Sequence, residues 1–126
     1  MFSQHVLYVT INKDHITIDN VDANKQEMIT GAFSNARLAI AHFQTCEAQL
    51  KEAISRVQSK SLLQSLTLVM HQQVLNDGGL CEIEERILLE LGLGSGASKV
   101  FIWHDEPLTS ELIKQKKTFL FFNPIG

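Results

Sequence analysis

The 126 residues predict an α/β domain in which a mixed sheet, built from a β-hairpin and a βαβ unit, carries two main helices. Three observations lead to this class. Two β-branched stretches, Val6-Leu7-Tyr8-Val9-Thr10-Ile11 and His15-Ile16-Thr17-Ile18-Asp19-Asn20-Val21, flank the turn residues Asn12-Lys13-Asp14. Residues 36–58 space apolar side chains by three and four, with no glycine or proline to interrupt them. The stretch from Gly79 to Trp103 reads as a helix, a glycine cluster and a buried strand, the second half of a βαβ unit.

Each element has its own warrant. The first strand is dense in Val, Ile and Tyr, and the second alternates apolar with polar residues, so the pair forms a hairpin with one buried face. Residues 22–34 are less regular: Met28-Ile29-Thr30 suggests a short third strand, and Ser34 or Asn35 suits the cap of the next helix. In helix 36–58 the row runs through Ile40, Phe43, Glu47, Leu50, Ile54 and Val57, and Ala36, Ala39, Cys46 and Ala53 widen it. Leu66-Thr67-Leu68-Val69-Met70 has central-strand character. Residues 72–79 read as a loop ending in the breakers Asn76, Asp77, Gly78 and Gly79. Helix 80–91 is expected to bury Leu80, Ile83, Ile87, Leu88 and Leu91, with Gly92 and Gly94 at its end. Lys99-Val100-Phe101-Ile102-Trp103 follows as a strand parallel to 66–70. Thr109 is placed to cap a short helix over 110–115. A basic cluster, Lys114-Gln115-Lys116-Lys117, then leads into Phe119, Leu120, Phe121 and Phe122.

Composition narrows the function classes. With 44% hydrophobic and 20% charged residues the chain suits one globular domain, residues 1–126, with 116–126 as an apolar tail. The net charge of −3 argues against nucleic acid as a partner. Cys46 and Cys81 stand alone in helical sequence and read as buried, reduced thiols. With no basic leader and no long apolar run, the expected compartment is the cytoplasm.

No residue set offers strong catalytic chemistry. A two-metal nuclease needs converging carboxylates, yet Val6 to Ile11 and residues 66–70 carry no acid, and Asp14 and Asp19 lie in or after the turn. His104-Asp105-Glu106 contains metal-ligating types, but three consecutive residues rarely converge on one ion, so a polar strand end is the preferred reading. Cys81 near a helix start invites a lowered pKa; a small buried hydrophobe is preferred. The loop of interest, Asn76, Asp77, Gly78, Gly79 and Glu84, sits where α/β sheets bind ligands, but its acids repel phosphate. Phe119, Leu120, Phe121 and Phe122 suit a strand of this domain's own core, a protein contact, or, with residues 114–122 together, an anionic membrane surface.

Three patterns carry a family resemblance. Gly96-Ala97-Ser98-Lys99-Val100-Phe101-Ile102 with Asp105-Glu106-Pro107-Leu108, Ile83-Glu84-Glu85-Arg86, and Leu38-Ala39-Ile40-Ala41-His42-Phe43 followed by Glu47 and Leu50 resemble, in order, segments of the MreB family of bacterial actin-like, rod shape-determining proteins. The resemblance spans residues 35–110. It implies a ribonuclease H-like, actin-subdomain order of elements, a cell-shape or envelope-assembly role, and self-association or a protein partner. It also places Glu84 where the family positions its attacking water. The chain departs from the family at the first hairpin: Thr10-Ile11-Asn12-Lys13-Asp14 has no glycine for a phosphate to approach. The second phosphate loop and the adenine pocket belong to parts of the family fold beyond residue 126. The expectation is therefore a non-catalytic interaction protein with no ATP, cofactor or metal. The alternatives are a nucleotide-dependent hydrolase whose site is completed by a homodimer, and an adaptor peripheral to the inner membrane.

Overall fold

The computed structural model describes residues 4–58, 65–75 and 78–116. Its sheet has five strands in the order β3-β2-β1-β4-β5, formed by β1 (Gln4–Asn12), β2 (His15–Asn20), β3 (Lys25–Thr30), β4 (Ser65–Gln72) and β5 (Lys99–Ile102). The helices are α1 (Phe43–Val57), α2 (Glu82–Gly94) and α3 (Ser110–Lys116). The first three strands form an antiparallel meander, with Asn12 opposite His15 and Thr17 opposite Met28. β4 then pairs parallel with β1, and β5 parallel with β4. A mixed open sheet with helices is thus the architecture that the hairpin and the βαβ pattern predict. The short third strand is present and reaches back to Lys25.

The pleat sorts side chains between two cores. Leu7, Val9, Ile11, Ile16, Ile18, Leu68, Met70 and Val100 point to the layer formed by α1 and α2. There they meet Cys46, Leu50, Ala53 and Ile54 of α1 and Leu88 and Leu91 of α2, all essentially inaccessible to solvent. Val6, Tyr8 and Val69 point the other way, to Leu108 and to Ile113 of α3. β1 and β4 are therefore covered on both faces, which accounts for their continuous apolar runs.

Four expectations from the sequence need correction. The long helix starts at Phe43 rather than at residue 36. The carboxamide oxygen of Asn35 accepts the N–H groups of Arg37 and Leu38, each at 2.8 Å, and the Phe33 carbonyl accepts those of Ala41 and His42. A side chain that bonds its own backbone in this way holds a loop where apolar spacing suggests a helix. Ala39 and Ile40 still reach the core, from that loop. Second, α2 runs Glu82–Gly94, offset from 80–91, because Gly78 and Gly79 adopt φ of 77° and 90° and the helix is capped at Cys81. Third, α2 buries the face of Leu88, Leu91 and Gly92, and Ile83 lies off that face, 69% exposed; Leu80 and Ile87 are only partly buried. Fourth, Cys81 is exposed and only Cys46 is buried.

The end of α2 follows the glycine pattern. Gly96 takes φ of 113° just past the helix, while the Gly96 and Ala97 N–H groups bond back to Leu93 and Gly92. Gly92 serves a different need: a Cβ there would lie 2.6 Å from Val100, so the glycine lets α2 approach β5 closely. Ser98 N–H then bonds the Leu66 carbonyl and guides the chain into β5 beside β4. Thr109 caps α3 as expected, its hydroxyl accepting the Leu112 N–H at 3.2 Å.

Candidate functional site

Because β1, β4 and β5 run parallel, their carboxyl ends share one edge of the sheet. In open α/β sheets this is the edge at which ligands bind, where neighbouring connections diverge. Here β1 connects toward β2 on one side while β4 connects through α2 to β5 on the other. At that edge lies a cleft of about 580 Å³, lined by Asn12, His71, Gln73, His104, Asp105 and Glu106.

Each lining residue has a local reason for its place. Asn12 ends β1, and its amide nitrogen donates to the Gln73 side-chain oxygen at 3.0 Å. Gln73 N–H donates to the Ile11 carbonyl at 2.8 Å, so the ends of β1 and β4 are tied twice. His71 is 3% exposed and faces the α3 side of the sheet. Its Nδ1 lies 2.6 Å from the Tyr8 hydroxyl, and that hydroxyl accepts the Leu108 N–H at 3.2 Å. Burial holds the His71 imidazole below its ordinary protonation range. The nearby His104 adds to this, and the Asp105 backbone and carboxylate oppose it. His104 Nε2 itself lies 3.2 Å from a Glu85 carboxylate oxygen on α2. Trp103 donates its indole N–H to the Glu106 carbonyl at 2.7 Å, which folds residues 103–106 into a tight wall. The cleft offers amides, imidazoles and carboxylates to a polar ligand. No group of three or more His, Cys, Asp or Glu among the described residues is arranged to hold a metal ion.

The residues singled out from the sequence fall in several places. Gly78 and Gly79 form the left-handed turn before α2, and Gly79 lines a separate cavity of about 110 Å³ with Gln72, Leu80 and His104. Asn76 and Asp77 lie outside the described residues, as do Phe119, Leu120, Phe121 and Phe122. Of the basic stretch 114–122, the described residues are 114–116, the end of α3. Glu84 faces its own helix start: one carboxylate oxygen accepts the Cys81 N–H at 3.1 Å, and the other lies 3.5 Å from the Gln72 amide nitrogen. With Glu82 and Glu85 it also places negative charge at the positive end of the helix.

The first hairpin turn is committed in the same way. Asp14, at φ of 57°, uses one carboxylate oxygen to accept the Ser34 N–H at 2.8 Å and the Ser34 hydroxyl at 2.7 Å. The Ser34 hydroxyl, then the Ser34 backbone, holds the Asp14 carboxyl below its ordinary range. The turn is thereby tied to the chain that follows β3.

His71 and Gln73 escape the sequence reading, because they trail an apolar strand and resemble the start of a loop. The available signal is the abrupt change from Leu68-Val69-Met70 to His71-Gln72-Gln73 at the carboxyl end of a central strand. His104, Asp105 and Glu106 do sit at a polar strand end, and that end forms one wall of the cleft.

Neither a protein-family model nor a solved structure matches the chain. A curated sequence does match. The uncharacterized protein YjaA of Escherichia coli (strain K12) is 31% identical over 105 residues, covering 79% of this chain and 83% of that one. On that identity and coverage, the chain belongs to the YjaA family.

Proposed function

We propose that the chain is a non-catalytic, actin-like interaction protein that acts by docking another protein in bacterial cell-shape or envelope assembly. The reading takes the β3-β2-β1-β4-β5 order as a ribonuclease H-like subdomain, an order consistent with the resemblance to the MreB family. One observation carries its non-catalytic part. Asp14, the acid of the hairpin turn, and Glu84, which the resemblance places beside the attacking water, are both engaged with their own chain. A turn whose acid clasps Ser34, and which has no glycine, is a poor cradle for phosphate. A glutamate that caps its own helix is poorly placed to orient water.

Docking would use the exposed side of α1 or the Phe-rich segment at 119–122. An NMR titration with magnesium-ATP tests the non-catalytic part. The reading expects the amides of Lys13, Asp14 and Ser34 and of residues 82–84 to stay in place. Saturable shifts at both segments would overturn it.

A further inference from the structure

We propose that Tyr8 and His71 form an acid-sensitive latch that holds one wall of the cleft, residues 104–107, against the sheet. The latch is a chain of hydrogen bonds joining three parts of the fold. Leu108 N–H donates to the Tyr8 hydroxyl oxygen at 3.2 Å, and that hydroxyl lies 2.6 Å from His71 Nδ1. The Tyr8 oxygen already takes the Leu108 N–H, and the group within reach of its own hydrogen is His71 Nδ1, so the chain is complete when the hydroxyl donates and Nδ1 accepts. Every partner in the chain is satisfied only while Nδ1 carries no proton.

Protonation at Nδ1 reverses one link. The ring then donates toward Tyr8, whose oxygen faces two donors while its own hydrogen has lost its acceptor. Tyr8 is 5% and His71 3% exposed, so although the ring borders the cleft, the orphaned Tyr8 donor has little access to solvent. The charged and titratable groups around the ring do not offset this cost. From β1 it meets Tyr8; from the segment after β5 it meets His104, whose charge opposes protonation, and Asp105, whose carboxylate favours it. Glu106 lines the cleft beyond them, and Glu85 of α2 is paired with His104. α3 turns Ile113 toward this core.

The sign follows from linkage. When the latch is open, the ring titrates near its ordinary value of 6.5; when closed, it titrates lower. The closed state is therefore fully favoured above 6.5 and loses its advantage as the pH falls from there through the lower value. Mild acid releases residues 104–107 and opens the cleft on its α3 side.

Trp103 is the chain's one tryptophan, and its indole bonds the Glu106 carbonyl inside the latched segment. Its emission is therefore a local reporter. An acid titration of the full chain should shift the Trp103 emission to the red with a midpoint below 6.5, while the far-ultraviolet circular dichroism stays at its neutral-pH value. His71→Gln should abolish the local transition. His104→Gln, on the exposed side, should leave the transition in place and move its midpoint up toward 6.5. Persistence of the transition in His71→Gln would overturn the proposal and point to His104 instead. Emission that changes only together with the circular dichroism would also overturn it. If His71→Gln does not fold, an unmoved midpoint in His104→Gln counts against the latch and an upward shift supports it.

Discussion

Two pairs of like residues receive opposite environments. Cys46 and Cys81 look alike in sequence, each alone in a helical stretch. Burial, with help from Glu47, pushes the Cys46 thiol up to about 12, whereas Cys81 stands exposed at the start of α2. A neutral thiol is a poor nucleophile. Reaction of the folded chain with a water-soluble disulfide reagent should modify one thiol, Cys81, and the second only after denaturant is added. Two fast thiols in the native state would contradict the packing of α1. The other pair is Asp14 and Asp19. Ser34 holds Asp14 low, whereas burial raises Asp19. A carboxyl held low contributes stability above its ordinary value of 3.8, and that stability is lost as the pH falls through the folded value. Ser34→Ala removes the largest cause of that depression. Urea midpoints measured above and below 3.8 should therefore differ less in Ser34→Ala than in the parent; an equal difference would remove Ser34 from the account. Little of this contrast is written in local sequence, since its largest causes are burial for Cys46 and Asp19 and the distant Ser34 for Asp14.

Legibility varied among the elements for physical reasons. β1, β2, β4 and β5 are readable because strands at the centre of a sheet, or half-covered, leave period-two or continuous apolar patterns. The start of α1 is not readable from spacing, because Ala39 and Ile40 keep the rhythm of a helix while reaching the core from a loop that Asn35 closes. α2 starts two residues later than expected, and its buried face is set by Leu88, Leu91 and Gly92, a face from which Ile83 points away into solvent. Its last turn carries a sharper lesson. Gly92 is needed less for its backbone freedom than for the missing Cβ, since Val100 of β5 already fills that space. Gly92→Ala, although it improves helix propensity, should destabilise the fold by about 1–3 kcal/mol through overpacking. Chemical denaturation checks this, and a neutral or stabilising effect would show that α2 and β5 are less closely packed than described.

Across the whole molecule, the sheet brings together residues that sequence keeps apart. Asn12, His71, Gln73 and His104 come from three strand ends and meet only because β1, β4 and β5 are parallel neighbours. The cleft they line was invisible as a motif, whereas the order of elements around it was largely predictable. The described helices include none long and apolar enough to cross a membrane. In the YjaA family, then, this α/β scaffold is one whose hairpin turn and helix start are occupied by their own side chains, and the proposed role rests on recognition rather than turnover. Isothermal titration calorimetry of the chain with magnesium-ATP tests that claim most directly. The account predicts no saturable heat at micromolar protein. A stoichiometric, micromolar binding curve, weakened by Glu84→Gln, would contradict it.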